Sequence, residues 1–298
     1  MKKVIVTGAN GFLASALIKK LTQKGISVVA ISRKFSNSCT NGNSLVQNIE
    51  MDILNIDEQI SLIPQDSYDA FYHFAWAGVN GPDKADPIVQ LRNIEMTVKC
   101  ARVAKTLAVK KFLCAGTIAE RAVESLPNLT TASGGMMYGV AKYTARLMIE
   151  TLCKNIGLDF VWMQFSNIYG PLNKTGNLVS YTIEKLQNND TALFGPANQP
   201  YDFIYIDDLL RAVIRLGECL NEEQCYFIGS GKPRILREYL NDIGGEMKCE
   251  HLIKIGSRPD DGIKYSIDMF DTSQLVNLIG KYAYIDFKEG IKIVLNHN

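Results

Sequence analysis

Tyr138 and Lys142, in the run Y-G-V-A-K, stand four residues apart. On an α-helix that spacing puts a phenol and an ammonium on one face. Free tyrosine titrates at about 10 and is a poor base at neutral pH. A fixed positive neighbour favours the phenolate, so the phenol can exchange a proton with a substrate hydroxyl. Alone the pair carries little weight, because a chain with 13 Tyr and 32 Lys+Arg produces it by chance. A second cluster, T-G-A-N-G-F-L-A at 7–14, suits phosphate binding. Gly8 permits a tight turn, Gly11 lets backbone amides approach a pyrophosphate at a helix N-terminus, and Ala14 allows close helix–strand packing. Two glycines between a strand and a helix are also ordinary turn chemistry, so the surrounding elements decide.

Those elements alternate through the first 165 residues. Apolar runs at 3–7, 27–32, 46–50, 70–75, 111–115 and 159–165 predict six strands. Between them, 11–24, 86–107 and 137–155 carry apolar residues at helical spacing. Such alternation predicts an α/β fold: a doubly wound parallel (Rossmann) sheet with right-handed crossovers and continuously apolar strands. After Gly170-Pro171 the elements shorten and Gly, Pro and Asn punctuate them. We expect a dinucleotide-binding domain from 1–166 plus about 201–230, and a smaller C-terminal substrate-binding domain from about 167–200 plus 231–298.

Composition removes several alternatives. A net charge of +1 with 21% charged residues offers no field for nucleic acid. No stretch approaches the ~18–20 apolar residues of a membrane span. The seven Cys are scattered without a C-x-x-C pair and there are three His, which argues against a metal site and for a reducing, cytoplasmic setting.

The glycine loop follows a strand and opens a helix, the context in which it indicates a dinucleotide site. The second strand ends at Ser32-Arg33-Lys34. NAD sites usually place an acid there for the ribose 2′-OH, and NADP sites an Arg for the 2′-phosphate. Ser32 with Arg33 favours NADP, with NAD the alternative and solvated loop charges the reading without function.

Taken together, the loop, Thr117 and the Tyr138/Lys142 pair resemble an extended short-chain dehydrogenase/reductase of the nucleotide-sugar branch, nearly end to end. Asp52-Ile53 resembles that family's adenine-side pair, and H-F-A-W-A at 73–77 its motif after strand four. Asn93 and Thr97 fit the helix that follows; N-I-Y-G-P (167–171), D-F-I-Y-I-D-D (202–208) and R-P-D-D (258–261) resemble its later motifs. The resemblance implies that Thr7, Gly8, Asn10, Gly11, Phe12, Leu13, Ser32, Arg33, Asp52, Ile53, Phe74, Ala75, Trp76 and Asn93 hold the cofactor. Thr117 would hydrogen-bond the reacting oxygen, Tyr138 act as acid/base, and Lys142 hold the cofactor ribose and lower the tyrosine's pKa. Trp76, Thr117, Asn167 and Arg258 would meet a nucleotide-diphosphate sugar, with Trp76 either walling the sugar pocket or packing the core. A homodimer through 86–107 and 137–155 is expected by the same resemblance.

Departures narrow the chemistry. Sugar 4,6-dehydratases carry Asp-Glu after the Thr; here Ile118 and Ala119 cannot move protons, so dehydration is not expected. The GDP-fucose synthase branch places a Cys in that stretch, where this chain has Ile118; Cys114 reads as core and Glu120 as a loop charge. Gln164 and Tyr201 stand where relatives often have Arg. Two activities fit: NADPH-dependent reduction of a 4-keto(-6-deoxy) nucleotide sugar, or 4-epimerisation on tightly bound NAD. A non-catalytic NADP-binding sensor is the remaining class, and it would be expected to lose the tyrosine.

Overall fold

Six segments rich in Val, Ile, Phe and Leu form parallel strands: β1 (Lys3–Thr7), β2 (Ser27–Ser32), β3 (Val46–Glu50), β4 (Ala70–His73), β5 (Lys111–Thr117) and β6 (Asp159–Phe165). The computed structural model describes residues 1–35, 42–125, 134–173, 176–260 and 263–297; Cys39 and Asp261 lie outside them. Strand Cys225–Ile228 completes one seven-stranded sheet at the β6 edge, in the order (225–228)-β6-β5-β4-β1-β2-β3. Side chains alternate across it. Val4, Val6, Val28 and Ala30 enter one core cluster, whereas Ile5, Val29, Ile31 and Phe71 enter the other. Both faces are therefore covered, and each fully buried aliphatic side chain contributes about 1.5–3 kcal/mol.

The crossover helices sit on opposite sides. Helix α1 (Phe12–Gln23) buries Ala14, Leu17, Ile18 and Leu21, an i, i+3, i+4, i+7 stripe, and the chain leaves it through Gly25 at φ +77°. Helix α2 (Pro87–Thr106) starts with Pro87 behind Asp86, whose carboxylate accepts from Ile88 N (2.8 Å) and Val89 N (3.2 Å). It packs against α4 (Gly134–Ile156) on the far face. Between β5 and α4 lies the short helix α3 (Ala119–Glu124). Because the chain moves outward from β1 in both directions, a crevice opens at the C-terminal ends of β1 and β4, where ligands of such sheets bind.

Past β6, the strands other than Cys225–Ile228 pair in twos: Asn167–Tyr169 with Phe203–Tyr205, Pro200–Tyr201 with Arg234–Ile235, and Ala192–Leu193 with Ile253–Lys254. The acids of D-F-I-Y-I-D-D knit this region together. Asp202, fully buried, accepts from Ser230 N (2.9 Å), and Asp208 from Tyr284 N and Ile285 N (2.8 Å each). The first strands fall where the sequence places them, with two differences at the site. β4 ends at His73, two residues early, because the chain must turn across the glycine loop. β5 runs on to Thr117.

Candidate active site

The glycine loop is built for close approach. Gly8 adopts φ +72°, and a Cβ there would stand 2.9 Å from Ala75 N and 3.1 Å from the Phe74 carbonyl carbon. Gly11 donates to Gly8 O (2.8 Å) and caps α1, so the first amides of that helix face the crevice. Phe12 and Leu13 open the helix, and Asn10 donates its amide to Lys34 O, tying the loop to the end of β2. A backbone cradle that any side chain would fill, at a helix N-terminus over the sheet crevice, fits a dinucleotide pyrophosphate.

One histidine fastens the crevice floor. His73 is buried and stands between Thr7 Oγ1 (2.9 Å from Nδ1) and Thr97 Oγ1 (3.2 Å from Nε2). Thr97 donates its own proton to Asn93 O (2.8 Å), so it accepts from Nε2–H, and Nδ1 accepts from Thr7. Burial, with the Lys142 charge adding to it, pushes the imidazole down to about 3 and keeps it neutral. Asn93 uses both ends of its amide on Ala77, accepting from N and donating to O at 2.8 Å each. In this structure it fixes the loop after β4 that carries Phe74, Ala75 and Trp76.

Tyr138 and Lys142 lie one turn apart on α4, and the Thr117 side chain hydrogen-bonds the phenol. Gly139 lets α4 press close to α3: a Cβ there would lie 2.9 Å from Ala119 O. The Tyr138 ring meets Trp76 edge-on (centroids 6.3 Å apart), and the Lys84 ammonium lies 5.3 Å from its centroid. Lys142, 3% exposed, donates to Ala115 O (2.6 Å) and sits 3.6 Å from the centre of the Trp76 ring, but 6.0 Å from that of Tyr138. Trp76 is anchored through Nε1 to Gln90 Oε1 (3.0 Å). It therefore lines the site and packs the core cluster at once.

The electrostatics differ from the expectation that Lys142 lowers the tyrosine's pKa. The Tyr138 phenol is pushed well above its ordinary value, first by burial and then by the charge of Glu120, against a hydrogen bond from Thr117. Burial pushes Lys142 down, opposed by Glu120. At neutral pH the phenol carries its proton.

Glu120 is also a correction: it is not a loop charge. Fully buried in α3, it accepts from Thr117 N (2.7 Å), Trp162 Nε1 (2.9 and 3.0 Å) and Gln164 Nε2 (3.1 Å). Gln164 in turn accepts from Arg121 Nε (2.9 Å). A sequence signal existed: Glu120 stands among Ile118, Ala119, Ala122 and Val123, and a strand Trp needs a partner for its N–H. Cys114 is core, as expected.

The remaining candidates spread out. Ser32 closes β2 and Arg33 is exposed beyond it. Asp52 accepts from Leu54 N (3.1 Å) at the start of a short turn, with Ile53 buried. Asn167 donates to Asp202 O (3.1 Å) and accepts from the Tyr201 hydroxyl (3.1 Å), so Tyr201 orients it. Arg258 donates to the Tyr181 hydroxyl (3.1 Å), and among the described residues no hydrogen bond or ion pair joins it to Asn167.

Residues 4–229 match the model of the NAD dependent epimerase/dehydratase family. The chain belongs to that family. It is an enzyme, an extended short-chain dehydrogenase/reductase as its motifs imply. Among its relatives is the "putative UDP-glucose 4-epimerase" of Methanocaldococcus jannaschii, 25% identical over 307 residues, covering 98% of this chain and 97% of that one. The "CDP-abequose synthase" of Salmonella muenchen is 25% identical over 300 residues, covering 99% and 97%. The structure of a UDP-glucose 4-epimerase from Thermotoga maritima shares the fold, with a TM-score of 0.84 at 21% identity, covering 99% of this chain and 98% of that one. Epimerase/dehydratase members span several reactions, and the fold alone does not separate them.

Proposed function

We propose that the protein reduces the 4-keto group of a nucleotide-diphosphate-linked sugar, a 6-deoxysugar being the favoured class, with NADPH as reductant. The observation that carries this reading is the end of β2, where exposed Arg33 follows Ser32 and neither residue is the acid that would take a ribose 2′-OH. Reduction of a ketone requires a proton for the developing alkoxide, and the half-buried phenol of Tyr138 beside Thr117 is a donor. Epimerisation would use the same phenol and recycle its cofactor on an NAD-type site, so a basic residue in place of the ribose acid favours net reduction. Relatives named for a 4-epimerase and for a CDP-sugar synthase support a nucleotide sugar as substrate.

A bound nicotinamide cofactor would supply the hydride. Gly8, Gly11 and the amides opening α1 would hold the pyrophosphate, Asp52 and Ile53 would meet the adenine side, and Arg33 would take the 2′-phosphate. Thr117 and Tyr138 would meet the carbonyl oxygen, where the Tyr138 proton would end; Lys142 would hold the cofactor ribose and place positive charge beside the tyrosinate that forms. Trp76 walls the sugar. Asn167, set by Tyr201, and Arg258 serve the diphosphate, within a cap formed by 167–200 and 231–298. With Ile118 buried after Thr117, dehydration lacks its acid and base.

Tyr138→Phe keeps the ring and removes the proton. The turnover of a 4-keto-6-deoxy nucleotide sugar, followed by loss of reduced-nicotinamide absorbance, should fall roughly 100-fold or more; undiminished turnover would sink the reading.

A further inference from the structure

We propose that Glu120 is the buried counter-charge of the site, a positioning residue that balances the Lys142 ammonium and fixes the backbone of Thr117 without touching substrate. This rests on the reductase reading only in assigning Lys142 and Thr117 their roles.

The geometry is specific. Every hydrogen-bond partner of the Glu120 carboxylate is a donor: Thr117 N, Trp162 Nε1 and Gln164 Nε2. Arg146 Nε stands 3.8 Å from Oε2. Burial raises the Glu120 pKa, opposed by the hydrogen bonds of Gln164, Thr117 and Trp162. A protonated carboxyl would need an acceptor and finds none among these, so the donor set favours the carboxylate. Gly116 leaves the room for it, since a Cβ there would overlap the Trp162 indole nitrogen and lie 2.7 Å from Glu120 Oε1.

Lys142 has the opposite shortage. Among the described residues it forms no ion pair; its ammonium is met by Ala115 O and the face of Trp76. The two groups flank one indole: Lys142 Nζ lies 5.9 Å from the Trp162 ring, whose Nε1 donates to Glu120. Burial of an ammonium with so little compensation favours the neutral amine, and Glu120 is the carboxylate that opposes this. The two charges grip successive parts of one strand end: Lys142 holds the carbonyl of Ala115, and Glu120 holds the amide of Thr117. Loss of the carboxylate therefore frees the Thr117 amide and favours neutral Lys142. The other titratable groups around the pair are Tyr138 and Arg146 from α4, Arg121 and Glu124 from α3, Cys114 from β5, His73 from β4, and Cys225 from the edge strand. Arg146 divides its guanidinium between Glu120, Glu124 and Cys225 Sγ, and stays charged throughout.

The sign follows. Removing the negative charge makes both the Lys142 ammonium and the Tyr138 phenol easier to deprotonate, so the high-pH limb of reduction moves to lower pH. The test is Glu120→Gln, measured as kcat/KM against pH and, independently of turnover, as NADPH Kd against pH. Both limbs should move down by about one unit or more, and Glu120→Asp should recover part of the shift. Gln164→Met, which removes a hydrogen bond but keeps the charge, should leave the limbs in place. Because the new amide of Glu120→Gln would oppose the Gln164 amide donor, the double variant Glu120→Gln/Gln164→Met deletes the charge without that clash. Folded charge-deleted protein with unmoved limbs overturns the proposal, as would failure of both the single and double variants to fold, which would make Glu120 a folding residue alone. An active Tyr138→Phe would instead overturn the reductase reading and leave the Kd shift standing.

Discussion

At the scale of single residues, the site depends on burial as much as on residue type. Tyr138 and Lys142 were legible from their spacing, but not the sign of the phenol's shift. An (i, i+4) lysine is expected to lower the phenol, whereas desolvation first and then the Glu120 charge raise it against the Thr117 hydrogen bond, and the two together prevail. Glu120 was misread because its partners Trp162 and Gln164 lie on a strand more than 40 residues on. Arg33, exposed at the end of β2, gives a direct test of cofactor choice. Glu50, its near neighbour across the register, accepts from Phe35 N (2.8 Å). Arg33→Ser should raise KM for NADPH about 10-fold or more by removing a charge-assisted contact, with little change for NADH. Equal effects on both would move Arg33 out of the cofactor site.

At the scale of elements, the helices and strands up to β6 were legible because parallel strands buried on both faces must be apolar and their helices amphipathic. What the sequence could not show is how the elements are stitched. His73 joins β1, β4 and α2 only as a neutral ring. Its folded pKa of about 3 lies below the unfolded value of 6.5, so its contribution is present above pH 6.5 and is lost as pH falls towards 3. The melting temperature should therefore drop over that window, and a His73→Gln variant, lower in stability at neutral pH, should show a flatter acid slope. Gly116→Ala tests the contact of β5 with β6 and α3. The added methyl would have to displace Trp162 and Glu120, and we expect a loss of roughly 1–3 kcal/mol in denaturant unfolding. An unchanged midpoint would show that the indole and carboxylate can shift freely.

At the scale of the whole molecule, the smaller pairs of strands after β6 were legible only as a change of texture. Two- and three-residue strands carry no periodicity, and their pairing partners lie 33 or more residues away. No helix among the described residues is long and apolar enough to cross a membrane. Helices α2 and α4 expose Ile88, Leu91, Leu147 and Met148 at 45–60%. A paired face is the expectation there: Leu91→Asp with Met148→Glu should convert a dimer to a monomer in sedimentation, whereas a wild-type monomer would remove the expectation.

Net consumption of the cofactor separates a reductase from an epimerase, which returns its hydride. Purified protein, NADPH and a 4-keto-6-deoxy nucleotide sugar should oxidise one equivalent of NADPH per sugar. No consumption, together with release of NAD⁺ from the denatured protein, would contradict reduction and establish the epimerase.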